Sequence, residues 1–172
     1  RVMEWLREMC GLPSNWTGVI QDTASASTLA ALLTAREKAT GFRINEEGFT
    51  SSDKLRIYCS TETHSSIEKA VKIAGFGRKN LVKIAVDKDF ALIPEELEKA
   101  ILKDKNAGYL PVCVIGSIGT TGSTAVDPIE GIGKICAAYG VWFHVDAAFS
   151  GTALILPEMH HFANGLEYAD SY

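Results

Sequence analysis

PVCVIGSIGTTGSTAVDPIEGIGKICAAYGVWFHVDAA, residues 111–148, decides the fold class. It opens on a compact apolar run, Pro111 to Ser117, of the kind carried by a strand buried on both faces. Gly and Thr residues interrupt that run. From Pro128 to Tyr139 apolar residues then recur three and four apart, the spacing of an amphipathic helix with proline at its start. Gly140 ends the stretch, and a second apolar run follows from Val141 to Val145. Strand, helix and strand in direct succession make a βαβ unit, whose two strands must run parallel.

The same alternation extends outward. Leu55 to Ser60 and Leu81 to Val86 are further strand candidates, and Ala24 to Ala39, His64 to Ala74 and Pro94 to Lys105 are further helices. Gly75, Gly77 and Gly108 supply turn signals between them. The expected class is α/β, a mainly parallel sheet with helices on both faces. Gly41 to Lys54 is the looser segment. No repeat or linker divides the chain, so 1–172 is expected to lie within one domain. Arg1 already stands inside an amphipathic pattern (Val2, Met3, Trp5, Leu6, Met9), and Asp170-Ser171-Tyr172 follows no closing helix. Both ends are expected to be cuts in a longer protein.

Composition narrows the function. The 172 residues are 47% hydrophobic and 22% charged, with a formal net charge of -4. Lys and Arg are scattered, which argues against a nucleic-acid partner. No apolar run reaches the roughly 20 residues that cross a bilayer, and no signal-peptide pattern opens the chain. A soluble, cytoplasmic protein is expected. Cys10, Cys59, Cys113 and Cys136 are far apart, with no C-x-x-C pair, and share no ligand spacing with the histidines; buried free thiols are expected and a metal site is not.

Four segments carry chemistry. Gly18 to Ser25 is a small, hydroxyl-rich turn that feeds a helix. The unpaired N–H groups and partial positive charge of a helix start suit an anion, and plain N-capping by Asp22, Thr23 or Ser25 is the alternative. The charge on Asp22 opposes an anion, so that residue should cap or point away. Ile115 to Pro128 is a strand end rich in Gly and Thr, where open α/β sheets place ligands. Thr120 and Thr121 serve either such a ligand or the turn itself, with Gly119 and Gly122 supplying special backbone angles.

Trp142 to Ala148 delivers Asp146 at the end of a hydrophobic strand, where a carboxylate is costly unless a cation or several donors meet it. A pyridinium nitrogen is such a cation, and an Asp beside it keeps the ring protonated and electron-withdrawing. Helix capping or metal binding are the alternatives. Thr61 to Ser66 places His64 at a helix start on the same ligand edge. An imidazole there can stack on a flat heteroaromatic ring or move a proton near pH 7; a capping or surface role is the alternative.

Together, in this order, these segments resemble the large domain of the group II decarboxylases that depend on pyridoxal 5'-phosphate (PLP). That family includes aromatic L-amino-acid, tyrosine, tryptophan, histidine and glutamate decarboxylases, and its large domain is that of fold-type I, aspartate aminotransferase-like enzymes. The resemblance runs through Trp5-Leu6, Gly11-Leu12-Pro13, the Gly18–Ser25 turn, His64-Ser65-Ser66-Ile67-Glu68-Lys69-Ala70, Gly119-Thr120-Thr121-Gly122, His144 to Ala148 and Ala169-Asp170-Ser171. Asp22 and Ala26 depart from it, standing where animal relatives carry Gly and many relatives carry Glu.

The resemblance implies that Thr23, Ala24 and Ser25 hold the cofactor phosphate. His64 would stack on the pyridine ring, Ala148 would pack on its other face, Thr121 would bond near its substituents, and Asp146 would pair with its nitrogen. His64 and Asp146 are the implied catalytic residues. The implied reaction is decarboxylation of an L-amino acid, an aromatic one first, to the amine and carbon dioxide. An aromatic aldehyde synthase, a glutamate or histidine decarboxylase, and a non-catalytic α/β interaction domain are the alternatives. A homodimer is implied, as is an N-terminal segment, a Schiff-base lysine region and a C-terminal small domain outside these 172 residues.

Overall fold

The computed structural model describes residues 1–172. In chain order the elements are α1 (Val2–Met9), α2 (Ala24–Ala39), α3 (Arg43–Glu47), β1 (Leu55–Ser60), α4 (Ser65–Ile73), β2 (Leu81–Ile84), α5 (Pro94–Asn106), β3 (Leu110–Ser117), α6 (Ile129–Tyr139) and β4 (Trp142–Asp146). Short 3-10 turns span Arg78–Asn80, Gly151–Ile155, Pro157–Ala163 and Leu166–Tyr168. The four strands form one sheet in the order β2-β1-β3-β4, every pairing parallel. The expected α/β class and parallel sheet are what the chain adopts.

Alternation along β1 and β3 sorts the core into two layers. Ile57, Cys59, Cys113 and Ile115 face α2 and α4 with Leu32, Ile67 and Val71. Tyr58, Val114, Phe143 and Val145 point the other way, onto α5 and α6 with Leu97, Ile101 and Ile132. Burial on both faces is why these strands are continuous apolar runs rather than alternating ones. Val112 and Cys113 both join the α2 layer because the β1–β3 register slips between Arg56 and Ile57. All four cysteines are buried free thiols, as expected.

The boundaries differ from expectation in a few places, each for a local reason. β2 ends at Ile84 rather than Val86. Asp87 Oδ1 accepts the N–H groups of Asp89 and Ala91 and folds the chain back, so Val86 pairs antiparallel with Leu92 in an isolated bridge. β4 begins at Trp142 and includes Asp146. Pro128 and His64 cap α6 and α4 from outside rather than opening them. Within Gly41 to Lys54 lies the short α3, anchored by buried Ile44. α1 buries none of its residues, and Val2, Trp5, Leu6 and Met9 stay exposed. No helix is long and apolar enough to cross a membrane.

Candidate active site

Strand order fixes where a ligand can sit. From β1 the chain moves to β2 on one side, then crosses back to β3 and β4 on the other, so the direction of winding reverses between β1 and β3. At such a switch point the loops leaving the strand C-termini diverge and open a crevice. A cleft of about 240 Å³ lies there, and Ala24, Ser25, His64, Thr121, Asp146 and Ala148 all line it. Six residues expected from separate stretches of sequence thus meet in one place.

The start of α2 forms one part of this wall. Thr23 is the N-cap in extended conformation, and its Oγ1 accepts the Ala26 N–H at 3.1 Å. The N–H groups of Ala24 and Ser25 have no protein acceptor, which leaves the two donors an anion would need. Thr23 itself does not line the cleft; its side chain serves the helix. Asp22 is exposed and makes no capping bond.

Asp146 is the last residue of β4. Its Oδ1 accepts the Ala148 N–H at 3.2 Å, the one hydrogen bond that the carboxylate receives from the chain, so most of its acceptor capacity faces outward. His64 caps α4 through its ring: Nδ1 lies 3.2 Å from the Ser66 N–H and 2.9 Å from Ser66 Oγ.

The Gly-Thr loop resolves between its alternatives residue by residue. Thr120 belongs to the turn: it is buried, its Oγ1 accepts the Ala125 N–H at 3.1 Å, and it pairs with Ser123 Oγ at 2.8 Å. Thr121 makes no hydrogen bond within the chain and faces the cleft. Gly119 does take a left-handed angle, φ +81°, whereas Gly122 does not.

Further residues in and behind the wall escape sequence reading. Ser66 and Ser117 line the cleft, and each is ordinary in its segment. Asp127 lies behind the wall and is buried. Its two oxygens accept the N–H groups of Leu92 and Ser117, each at 2.8 Å. Burial pushes this carboxyl up to about 6, against the pull of those two donors. Its sequence signal was an Asp before a helix-starting proline, which reads as a cap. His144 is buried on β4, where its Nδ1 pairs with Ser171 Oγ at 2.9 Å and burial pushes its pKa down.

Chemically the cleft offers backbone donors and a hydroxyl for an anionic group, a carboxylate for a cationic atom, and an imidazole, with the small Ala148 also in the lining. That set suits a flat, mixed-charge ligand carrying an anionic substituent.

Known proteins match the same span. The family model described as the pyridoxal-dependent decarboxylase conserved domain matches residues 1–172. Tryptophan decarboxylase 2 of Oryza sativa subsp. japonica is 40% identical over 99% of this chain, and phenylacetaldehyde synthase of Petunia hybrida is 41% identical over 99%. Each match covers 35% of the relative, so the chain spans about a third of the length of these proteins. The crystal structure of Oryza sativa TDC with PLP and tryptamine superposes with a TM-score of 0.91 at 35% identity, covering 98% of this chain and 36% of that one. The match in sequence over the whole chain, together with the match in fold, shows that the chain belongs to the pyridoxal-dependent decarboxylase family.

Proposed function

We propose that the complete protein decarboxylates an L-amino acid with PLP, an aromatic amino acid first, and that this chain is part of its PLP-binding large domain. The observation that carries the reading is the meeting, in one cleft, of free N–H donors at the start of α2, the Asp146 carboxylate and the His64 ring. PLP presents a phosphate, a pyridine nitrogen and a flat ring, one for each of these groups. PLP, when bound, supplies the electron sink that makes loss of the carboxylate possible.

The residues of this chain then have distinct tasks. Ala24 and Ser25 hold the phosphate through backbone N–H groups and the Ser25 hydroxyl, helped by the partial positive charge of the helix start. Thr23 contributes indirectly, by capping that helix. Asp146 holds a proton on the pyridine nitrogen by stabilising the charged form, the one that withdraws electrons. His64 and Ala148 confine the ring between them, and Thr121 offers its hydroxyl at the ring's edge. By keeping that nitrogen protonated, Asp146 would let the bound ring accept the negative charge that develops as carbon dioxide leaves, so its effect would fall chiefly on the transition state.

A homodimer in the cytoplasm completes the proposal. Exposed Val19, Ile20 and Phe149 are large apolar side chains suited to a partner surface, and four buried free thiols fit a reducing compartment. An N-terminal segment, the lysine that carries PLP and a C-terminal small domain would be supplied by the rest of the protein. An aromatic aldehyde synthase is the second reading, favoured by the likeness to the petunia enzyme.

The test is carbon dioxide release by the complete protein loaded with PLP, on a panel of aromatic, acidic and basic amino acids including histidine. Equal amounts of carbon dioxide and amine from an aromatic substrate are expected. Aldehyde and peroxide in place of amine select the synthase. No release with any substrate leaves a non-catalytic α/β domain.

A further inference from the structure

His64 occupies an unusual position for its residue type. Helix N-caps are mostly Ser, Thr, Asp or Asn, whose side-chain oxygens accept a backbone N–H. The stretch before α4 contains Thr61 and Thr63, yet the cap of α4 is the imidazole of His64. Its Nδ1 stands 3.2 Å from the backbone nitrogen of Ser66 and 2.9 Å from Ser66 Oγ.

A backbone amide can only donate. Nδ1 must therefore present its lone pair to the Ser66 N–H, which excludes a proton there. The hydroxyl of Ser66 is free to rotate and donates to the same lone pair; Nδ1 is its one partner, and the residue is buried. Nε2, across the ring, has no partner within the chain.

We propose that Ser66 is a positioning residue: together with the first turn of α4 it holds the His64 ring with the Nδ1 lone pair engaged, so that the proton of the neutral ring sits on Nε2. Three consequences follow. The ring plane is fixed by contacts at Nδ1 rather than by the ligand. His64 offers its ligand a donor at Nε2 and no acceptor. Any proton that reaches Nδ1 must first break the helix cap. The tautomer stands on the geometry alone, while its use in the cleft rests on the reading of that cleft as a PLP site.

The test uses the complete protein labelled with ¹⁵N-histidine, both without and with PLP. Solid-state ¹⁵N NMR separates protonated from unprotonated ring nitrogens, and the His64 signals are those lost in His64→Ala. An unprotonated Nδ1 and a protonated Nε2 are expected in both states. A proton on Nδ1 near neutral pH overturns the proposal.

Ser66→Ala keeps the backbone bond and removes the hydroxyl, and Ser66→Thr restores it. Ser66→Ala is expected to weaken PLP binding to the apoprotein about three- to tenfold, the effect of one hydrogen bond, and Ser66→Thr to recover it. Wild-type affinity and an unchanged tautomer in Ser66→Ala, with carbon dioxide release intact in the parent, would remove Ser66 from the device and leave the decarboxylase reading standing. An Nε2-protonated ring, with PLP binding weakened in Ser66→Ala and recovered in Ser66→Thr, in a parent that releases no carbon dioxide would uphold the positioning role and sink the decarboxylase reading alone.

Discussion

Asp127 and Ser117 are joined twice: the Asp127 carboxylate accepts the Ser117 N–H at 2.8 Å, and the Asp127 N–H donates to the Ser117 carbonyl at 2.9 Å. The segment between them is thereby a closed loop, further pinned by the bridge between Ile118 and Val126. That loop carries Gly119, Thr120 and Thr121 along the cleft. The second Asp127 oxygen ties the same point to Leu92, just before α5. One buried carboxylate thus holds a cleft wall against the body of the domain.

Asp127→Asn tests that link. The amide oxygen can keep one N–H, but its NH₂ group faces the other donor, so one buried N–H loses its acceptor. We expect PLP affinity of the complete protein to fall about tenfold, a loss of about 1.4 kcal/mol, read by titrating the apoprotein. Unaltered affinity would mean the loop holds its shape without the carboxylate.

The same residue predicts a pH dependence. Its pKa is raised in the folded chain, from the ordinary 3.8 to about 6, with burial the main cause and Asp87 adding repulsion. Between those values the folded state binds the proton more than the unfolded state does, so this group's contribution to stability falls as pH rises through the window and is level above it. At about 1.4 kcal/mol per pH unit, the fall amounts to about 3 kcal/mol. Asn does not titrate. Denaturant unfolding of wild type and Asp127→Asn between about pH 4 and about pH 7 should therefore show the wild type losing about that much relative to the variant. A flat difference would place the carboxylate in solvent.

Gly119 is a position where the backbone itself is the requirement. Its φ of +81° is strained for any residue with a Cβ, and a Cβ built there overlaps Ser150 Oγ, which is held by its own bond to the Ile118 carbonyl at 2.7 Å. Gly119→Ala is expected to displace either Ser150 or the loop. PLP affinity should fall by at least tenfold, measured by the same titration. Adding Ser150→Gly removes the overlap and should recover part of the loss; no recovery would assign the whole effect to the backbone angle.

Much of this was legible in the sequence because it rests on local pattern. The βαβ alternation from 111 to 148 specified parallel strands, and buried strands have no polar face to confuse the reading. Asp146 was legible because a carboxylate ending the apolar run Trp142 to Val145 contradicts its surroundings. What stayed hidden depends on partners distant in sequence. Asp127 looks like a helix cap until Leu92 and Ser117 arrive beside it. Ser66 looks like one more hydroxyl in Thr61 to Ser66, and which residue of that cluster caps α4 is decided by how β1 delivers the chain into the helix. Thr23 illustrates the reverse: its sequence placed it at the right helix start, but its side chain turned inward onto Ala26 rather than to the cleft.

Asp146→Ala separates chemistry from folding. A residue that held the fold together would have several bonds to lose, but the Asp146 carboxylate accepts only the Ala148 N–H, at 3.2 Å, at the partly exposed end of β4. Its removal frees one N–H within reach of water, so the unfolding temperature of the complete protein should change by no more than a few degrees. The charge that Asp146 would offer to a pyridine nitrogen has no substitute among the cleft residues, since Ser66, Ser117 and Thr121 are neutral and Ala24, Ser25 and His64 offer donors. Turnover should therefore fall on the order of 10²- to 10³-fold. Asp146→Asn keeps the size and loses the charge, and it should fall nearly as far. Near-normal turnover in both variants, with PLP bound, would show that ring protonation is held from elsewhere and would take Asp146 out of the reaction.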